Sequence, residues 1–307
     1  MRDKIRGFSF TKNFKFISII AALFVIVGLV GLLLLPFGVQ LFNFDIDFVG
    51  GTTMQFDLHT PVTAEITSDV AAVVQEVSGK PASSVTKAGD SGTQVVIKSL
   101  ELDSETRDAI FDALAEKYGM QDTDNLKSDY VSASVGSDLR NKAIKASLIA
   151  VALILVYITI RFEFRSGIAA IIALVHDLLV MLSMYIIFRI PFNMNFIAAA
   201  LTIFGYSINA TIVVFDRIRE NRKKEMGKKT TFAEIVDKSI HQTMTRSLNT
   251  TITTLVVMVM LLILGVSSIR NFAAPICVGV IAGCFSSVCL SGPLWNLFTP
   301  KNDVRTK

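Results

Sequence analysis

Six apolar stretches, each close to the length of a membrane-spanning helix, constrain the fold of this chain more than any other feature. They cover residues 16–35, 143–160, 167–188, 192–215, 248–267 and 272–298, and are called spans one to six. About 20 predominantly apolar residues cross the hydrocarbon core of a bilayer as a helix. Lipid offers no partner to free backbone groups, and the stretches lack the alternation of strands, so we predict six transmembrane helices. The composition of the 307 residues agrees, because 51% are hydrophobic and only 18% are charged.

Basic residues cluster before span one, after span four and at the end of the chain. They are Arg2, Lys4, Arg6, Lys12 and Lys15, then Arg217, Arg219, Arg222, Lys223, Lys224, Lys228 and Lys229, and finally Lys301, Arg305 and Lys307. The positive-inside rule places these segments in the cytoplasm and the acidic segment between spans one and two outside. We interpret these clusters as charges that set the membrane topology and contact anionic lipids. This interpretation is favoured over a nucleic-acid-binding site. The Leu-Pro-Phe-Gly sequence after span one is unlike a signal-peptide cleavage site, so we expect span one to be retained.

These features divide the chain into predicted regions. They are a cytoplasmic N-terminus at 1–15, the first transmembrane helix at 16–36, an extracytoplasmic α+β domain at 37–140, transmembrane helices two to six at 141–298 with a basic cytoplasmic loop at 216–246, and a cytoplasmic C-terminus at 299–307. Within the basic loop, residues 230–244 can form an amphipathic helix, which we expect to lie along the membrane surface.

The outer domain shows the order β-α-β-β-α-β of a ferredoxin-like fold. The predicted strands are 52–58, 84–87, 94–99 and 129–135, and the predicted helices are 63–78 and 104–118. The domain shows no nucleophile–base pair, metal cluster or phosphate loop, so we favour a binding domain over an enzyme and expect no metal or cofactor. An acidic motif precedes the first strand and consists of Asp45, Asp47, Gly50 and Gly51. Because its glycines lead into a strand and not a helix, we interpret them as a tight turn at the membrane exit.

One acid lies near the middle of span three. It is Asp177, and it follows His176 directly. A charged side chain at that depth is costly unless it is paired, hydrated or protonated. Two interpretations stay open: a proton or cation site, and a structural hydrogen bond within the bundle.

Spans four and five each carry a polar helical face. The face of span four contains Tyr206, Asn209, Val213 and Asp216. The face of span five contains Arg246, Asn249, Thr250 and Thr253. Together these faces can hold water and relay protons; the alternative is hydrogen bonding between helices, with Arg246 extending to the interface. Asp216 and Arg217 lie at the cytoplasmic rim, where an ion pair costs little.

Span six carries small residues at a regular spacing. Gly279 and Gly283 lie four residues apart and are followed by Ser286 and Ser287. This spacing allows close contact between helices. Trp295, near the end of the span, is expected to be an anchor at the membrane interface.

Four segments in order resemble the SecF family of secretion-accessory membrane subunits, which belongs to the resistance-nodulation-division superfamily. They are the Phe-Asp-Ile-Asp-Phe-Val-Gly-Gly-Thr segment at 44–52 and the segments 205–221, 246–254 and 283–288. The resemblance covers essentially the whole chain. It implies a SecD-like partner with six spans, a place beside the SecYEG channel, and contact between the outer domain and exported polypeptides. It also implies a bacterial-type inner or plasma membrane, with the proton-motive force as energy source.

The resemblance assigns roles to single residues. Arg246 matches the arginine that the family carries in span five. Asp177 matches the acid of a His-Asp pair in span three. Asp45 and Asp47 match an acidic motif where the chain leaves the membrane.

The chain departs from the family at Ala210, where members usually carry an aspartate between the asparagine and the threonine. That acid is a candidate proton carrier, and a methyl group cannot bind a proton. Three explanations stay open. A SecD-like partner holds the essential acid; Asp177 or Asp216 substitutes for it; or the alanine is an engineered or inactivating replacement.

The sequence therefore predicts a translocase subunit that aids export and release of secreted proteins, and not a covalent catalyst. Two alternatives are one half of a lipid or small-molecule exporter of the same superfamily, and a passive scaffold of the translocon without proton coupling. A single set of six spans with one small outer domain argues against export by this chain alone. Ala210 favours the scaffold.

Overall fold

The computed structural model describes residues 8–39, 41–89, 91–161, 163–226, 230–265 and 267–300. The chain divides into two compact units. The membrane unit comprises Met1–Asn43 with Ala146–Lys307, and the outer unit comprises Phe44–Lys145. Several of the predicted cytoplasmic charges lie outside the described residues, namely Arg2, Lys4, Arg6, Lys228, Lys229, Lys301, Arg305 and Lys307.

Six helices of the described chain are long and apolar enough to cross a membrane, which confirms the predicted six-span fold. Their bounds are Phe14–Phe37, Ala133–Ile158, Phe164–Ile187, Met194–Lys224, Phe232–Leu264 and Ile269–Phe298. Spans two, four and five extend beyond the predicted apolar stretches, because residues too polar for lipid still continue the backbone hydrogen bonding of a helix. The predicted loop 216–246 is therefore mostly helical.

The amphipathic segment 230–244 is the first part of span five and not a separate surface helix. The span begins with a capping box, in which the Thr231 and Glu234 side chains each accept a hydrogen bond from the other's backbone N–H. The apolar side of the segment is buried in the core of the membrane unit, through Phe232, Ile235, Val236 and Ile240. An amphipathic pattern shows that one helical face is shielded from water, but not by what. Here the protein core shields the apolar face, and not the membrane surface.

The predicted interface role of Trp295 is wrong. Its side chain is only 2% exposed. The indole ring packs edge-on against Phe215 and Phe232, at ring-centre distances of 5.0 and 5.6 Å. Trp295 is thus a core residue that joins spans four, five and six.

Span six is not a regular helix along its whole length. An α-helix covers Ser267–Phe285, a π-helical segment covers Ser286–Ser291, and a second α-helix covers Gly292–Phe298. A π-helical turn is wider than an α-helical turn, and such segments are frequent at functional sites. This irregularity begins at a serine that contacts the acid of span three.

The two glycines of span six lie against span four, as their spacing predicts. A Cβ atom added at Gly283 would lie 3.3 Å from the Cβ of Ser207. One added at Gly279 would lie 2.5 Å from Cγ1 of Ile203. The absence of side chains at these glycines lets the two helices approach closely.

The outer unit contains a four-stranded antiparallel sheet packed against two helices. The strands are β1 (Gly51–Asp57), β2 (Ser84–Ala88), β3 (Gln94–Ser99) and β4 (Asn125–Val131), and the helices are α1 (Ala64–Ser78) and α2 (Ser104–Tyr118). The order in the sheet is β2-β3-β1-β4. The core combines Met54, Phe56, Val95 and Ile97 of the sheet with Val70, Val74, Ile110 and Leu114 of the helices. The elements follow the predicted order β-α-β-β-α-β.

The last strand was predicted too late in the chain. The prediction was 129–135, whereas β4 covers Asn125–Val131 and the helix of span two begins at Ala133. Most side chains of β4 are exposed, including Leu126 and Tyr130. The strand therefore lacks the alternation between apolar and polar residues from which its bounds could be read.

Span one packs against span three through a glycine. A Cβ atom added at Gly28 would lie 2.5 Å from the backbone oxygen of Leu179. The backbone N–H of Gly28 also donates a hydrogen bond to Ser183 Oγ at 2.7 Å. The contact therefore depends on the absence of a side chain at this position.

We predict that Gly28→Ala destabilises the folded chain by about 1–3 kcal/mol, because the new methyl group meets backbone that cannot rotate away. The measurement is the thermal unfolding of the full-length chain in mild detergent. Gly167→Ala is the matched control, since a Cβ there would lie at an ordinary 3.5 Å from Ile158. Equal melting temperatures for the two variants would contradict the prediction.

Candidate functional site

The carboxylate of Asp177 joins three spans in the interior of the membrane unit. Its side chain is only 1% exposed. Oδ2 accepts hydrogen bonds from Ser207 Oγ of span four at 2.5 Å and from Ser286 Oγ of span six at 2.8 Å. Oδ1 lies 3.0 Å from Nδ1 of His176. These four residues are called the Asp177 cluster.

Close helix packing brings the two serines to the carboxylate. Ser207 and Ser286 are both fully buried. Gly283 brings span six close to Ser207, and Ser286 is the first residue of the π-helical segment. The sequence did not single out these two hydroxyls as partners of Asp177, although serines in an apolar helix are a recognisable sign of a buried hydrogen bond.

His176 has one ring nitrogen in the cluster and one outside it. Nδ1 faces Asp177, whereas Nε2 is buried without a hydrogen-bond partner among the described residues. The ring also packs against Phe285 at 5.7 Å between centres. His176 borders a mostly apolar cavity of about 260 Å³ between spans one, three and six. Imidazole and carboxylate can each bind a proton, so the pair can hold one or two.

The polar faces of spans four and five meet around a second cavity, called the Arg246 cavity. Its volume is about 170 Å³, and it is lined by Tyr206, Asn209, Ala210, Val213, Arg246, Ser247 and Thr250. The predicted site residues Asn209, Arg246 and Thr250 are thus brought together with Ala210. The predicted residue Asn249 is exposed and does not line this cavity.

The polar face of span five lies on the surface of the chain and not in its interior. Arg246, Asn249, Thr250 and Thr253 are exposed, whereas Ser247 and Thr251 turn towards span four and are buried. Tyr206 and Thr251 share a hydrogen bond of 2.9 Å between their hydroxyl oxygens. The Asp177 cluster and the Arg246 cavity are therefore separate sites on different faces of span four.

The predicted rim residues border a neighbouring cavity of about 300 Å³, which Asp216, Arg217, Glu220 and Arg246 help to line. Arg217 donates hydrogen bonds to Glu220 at 2.5 Å and to Gln242 at 2.7 Å. Lys224 also pairs with Glu220 at 2.5 Å. The basic end of span four is thus held to its own helix and to span five.

The acidic motif before β1 has the geometry of a tight turn. Asp45 caps the short helix Ile46–Val49 and accepts a hydrogen bond from Lys98 Nζ at 2.8 Å. Gly50 and Gly51 have φ angles of +77° and +136°, which side-chain-bearing residues rarely adopt. A Cβ added at either glycine would lie within 2.7 Å of backbone atoms of the outer unit. The glycines are therefore needed for the turn itself.

The chain is similar to proteins of bacterial secretion. The family described as protein export membrane protein SecD/SecF, C-terminal, matches residues 110–301. The protein translocase subunit SecF of Sebaldella termitidis is 39% identical over 82% of this chain and 81% of its own length. The protein translocase subunit SecDF of Bacillus subtilis is 36% identical over 93% of this chain.

A solved structure shows the same fold. It is the crystal structure of SecDF, a translocon-associated membrane protein, from Thermus thermophilus, with a TM-score of 0.81 and 32% identity over 94% of this chain. This chain spans only 38% of that protein and 37% of the Bacillus SecDF. The match over most of the length of the shorter SecF relatives decides the assignment. The chain belongs to the SecF family of protein translocase subunits.

Proposed function

We propose that this SecF-family subunit uses the proton-motive force, together with a SecD-like partner, to help exported polypeptides pass through a SecYEG-type channel and leave it on the outer side. The observation that carries the proposal is the buried Asp177 carboxylate, which accepts hydrogen bonds from two other spans. A membrane carboxylate in such a network is suited to bind and release protons. The proton gradient is the energy source, and no bound cofactor takes part.

Proton binding at Asp177 would change the contacts between spans. The ionised carboxylate is an acceptor only, and it suits the hydroxyls of Ser207 and Ser286 as donors. The protonated acid carries a donor of its own. A proton on Oδ1 faces Nδ1 of His176, which then has to accept it, whereas a proton on Oδ2 displaces one of the two serine hydroxyls. In the second case span four or span six shifts relative to span three. Movement of the spans is then passed to the outer unit, which holds or releases the exported chain.

The exposed polar face of spans four and five is the proposed contact for the SecD-like partner. Exposed amide, hydroxyl and guanidinium groups are costly against lipid, so they require a protein surface or water. The existence of SecDF relatives, of which this chain matches little more than a third, supports such a partner. The basic end of span four is proposed to contact anionic lipids, with both termini in the cytoplasm.

A passive scaffold is the second candidate, because Ala210 lines the Arg246 cavity at the position where the resemblance to the family leads us to expect a carboxylate. A chain of this kind would hold the translocon together without proton coupling. Export of lipids or small molecules is less favoured, since the relatives that match the chain are protein translocase subunits.

We expect Asp177→Asn to reduce export driven by the proton-motive force by at least about tenfold while the chain stays folded. Asparagine keeps an oxygen that accepts hydrogen bonds from the two serines, but it cannot bind a proton. The measurement is release of a secreted protein from membrane vesicles with and without the gradient. Asp138→Asn is the control, because that exposed carboxylate only pairs with Lys142 at the surface. If Asp177→Asn supports as much force-dependent export as the unchanged chain, the carboxylate acts only as a structural hydrogen-bond acceptor.

Arg246→Ala is expected to lower export by about tenfold without loss of folded protein, because it removes the fixed charge of the polar face from an exposed position. Arg246→Lys keeps the charge and should retain much of the activity. Export is compared at matched amounts of membrane-inserted chain. Normal secretion by Arg246→Ala would exclude this arginine from the coupling.

Ala210→Asp distinguishes a coupled subunit from a scaffold. If export by the unchanged chain depends on the gradient and the variant behaves alike, the proton passes through Asp177 or a partner. If only the variant depends on the gradient, the unchanged chain is the scaffold. The measurement is the same release assay, and we expect force-dependent export in both.

A further inference from the structure

The cavity that His176 borders, called the His176 cavity, is nearly free of polar groups. Its volume is about 260 Å³. Of the residues that line it, only Ser18 and His176 carry polar side chains. All of them belong to spans one, three and six, so the cavity is separate from the polar face that is assigned to the SecD-like partner.

The His176 cavity opens on the surface of the membrane unit. Its floor includes the buried residues Ala21, Leu290 and Leu294. Its rim includes Ile172 and Val175, which are 40% and 49% exposed. At membrane depth, the medium outside such a rim is hydrocarbon and not water. A lipid chain can therefore enter the cavity from the side.

The ring nitrogens of His176 offer little to a polar ligand in the cavity. Nδ1 faces Asp177. Nε2 is itself enclosed by protein and has no hydrogen-bond partner among the described residues. The ring therefore borders the cavity with its carbon atoms. A hydrocarbon ligand matches this wall, whereas a polar ligand would lose hydrogen bonds to water without replacing them.

The His176 cavity follows span one over the depth of one membrane leaflet. Its lining runs from Phe14, the first residue of the helix, to Val25. This distance is about 16 Å along a helix, and half of the hydrocarbon core is about 15 Å. A transmembrane helix of another subunit would extend over about 30 Å. The volume is also below the roughly 300–1,000 Å³ of pockets for drug-sized ligands. The dimensions therefore fit a single acyl chain.

A basic residue lies at the end of the cavity where span one begins. Lys15 is exposed and follows Phe14 directly. It precedes Ser18 by three residues and Ala22 by seven, so it shares a helical face with both of these lining residues. A lysine at the membrane surface attracts anionic lipid head groups. Lys15 can therefore hold the phosphate of a lipid whose chain lies in the cavity.

Two carboxylates of span five lie near this end of span one and are engaged by other residues. Asp237 accepts hydrogen bonds from the hydroxyls of Ser9 and Thr11 at 2.5 and 2.8 Å. Glu234 caps its own helix and has Lys12 as an electrostatic neighbour. In the described part of the chain, neither carboxylate pairs with Lys15. The charge of Lys15 is thus available to a lipid phosphate.

We propose that the His176 cavity binds one acyl chain of an anionic phospholipid, with the phosphate at Lys15. The lipid belongs to the leaflet on the side where span one begins, which is the cytoplasmic leaflet in the topology proposed above. The chain covers the ring of His176 and keeps water from this side of the Asp177 cluster. A neutral imidazole that donates its Nδ1 proton to Asp177 leaves Nε2 as an acceptor only, and so suits a dry surrounding. The inference rests on the proposed function and deepens it, because it names the group that shields the proton site.

The test is native mass spectrometry of the full-length chain in mild detergent, loaded with phosphatidylglycerol or phosphatidylcholine of the same acyl chains. We expect one phosphatidylglycerol to be retained per chain. Ala22→Phe should lower retention by at least about tenfold, because excluding two methylene groups from the cavity is already sufficient for that loss. Val175→Trp, on the wall of span three, should act alike. Ala152→Phe is the matched control, since this exposed alanine of span two does not line the cavity.

The head-group contact is tested by Lys15→Gln. We expect retention of phosphatidylglycerol to fall about fivefold, as for the loss of one basic residue near an anionic surface. Arg219→Gln removes an exposed arginine of span four that does not line the cavity, and it should leave retention unchanged.

The comparison of the two lipids uses the unchanged chain and decides the proposal even where a variant is poorly folded. Equal retention of phosphatidylglycerol and phosphatidylcholine, or retention of neither, would overturn the proposal. So would equal retention by folded Ala22→Phe and Ala152→Phe. Loss of the lipid whenever another subunit is bound would show that the cavity is a protein interface instead. None of these readouts involves export, so the lipid site and the proposed function can fail independently.

Discussion

The burial of one carboxylate is the constraint on which the interior of the membrane unit depends. Away from water, Asp177 is tolerated only where hydrogen-bond donors surround it. The donors come from Ser207 and Ser286 on two other spans, and Gly283 lets those spans approach. The packing of the three helices and the hydrogen bonding of the acid therefore depend on each other, because both serine donors belong to other spans.

Span four takes part in two different sites through adjacent residues. Successive residues of a helix point about 100° apart, so Ser207 can face Asp177 while Tyr206 faces Thr251 of span five. Ala210 lies one helical turn after Tyr206, and both residues line the Arg246 cavity. The side chain at position 210 therefore belongs to the exposed polar face and takes no part in the hydrogen bonds of the Asp177 cluster.

The predictions from sequence succeeded where a pattern has one physical meaning. A run of about 20 apolar residues has few stable arrangements other than a transmembrane helix. Alternation and helix-capping residues likewise located most elements of the outer unit.

The predictions failed where a pattern has two meanings. The apolar face of 230–244 and the ring of Trp295 both require cover, and the cover turned out to be the protein core. The exposed strand Asn125–Val131 gave no alternation to read.

The sequence by itself determined the six spans, the α+β outer unit and the presence of polar groups at membrane depth, because each follows from local composition and periodicity. Only the tertiary structure decided which polar groups meet. Asp177, Ser207 and Ser286 are far apart in the chain, and their contact depends on how closely three helices pack. The exposure of Arg246 and the burial of Ser247 likewise depend on which face of span five is turned towards span four. Helical periodicity shows that residues share a face, whereas the neighbour of that face is set by the packing of the whole bundle.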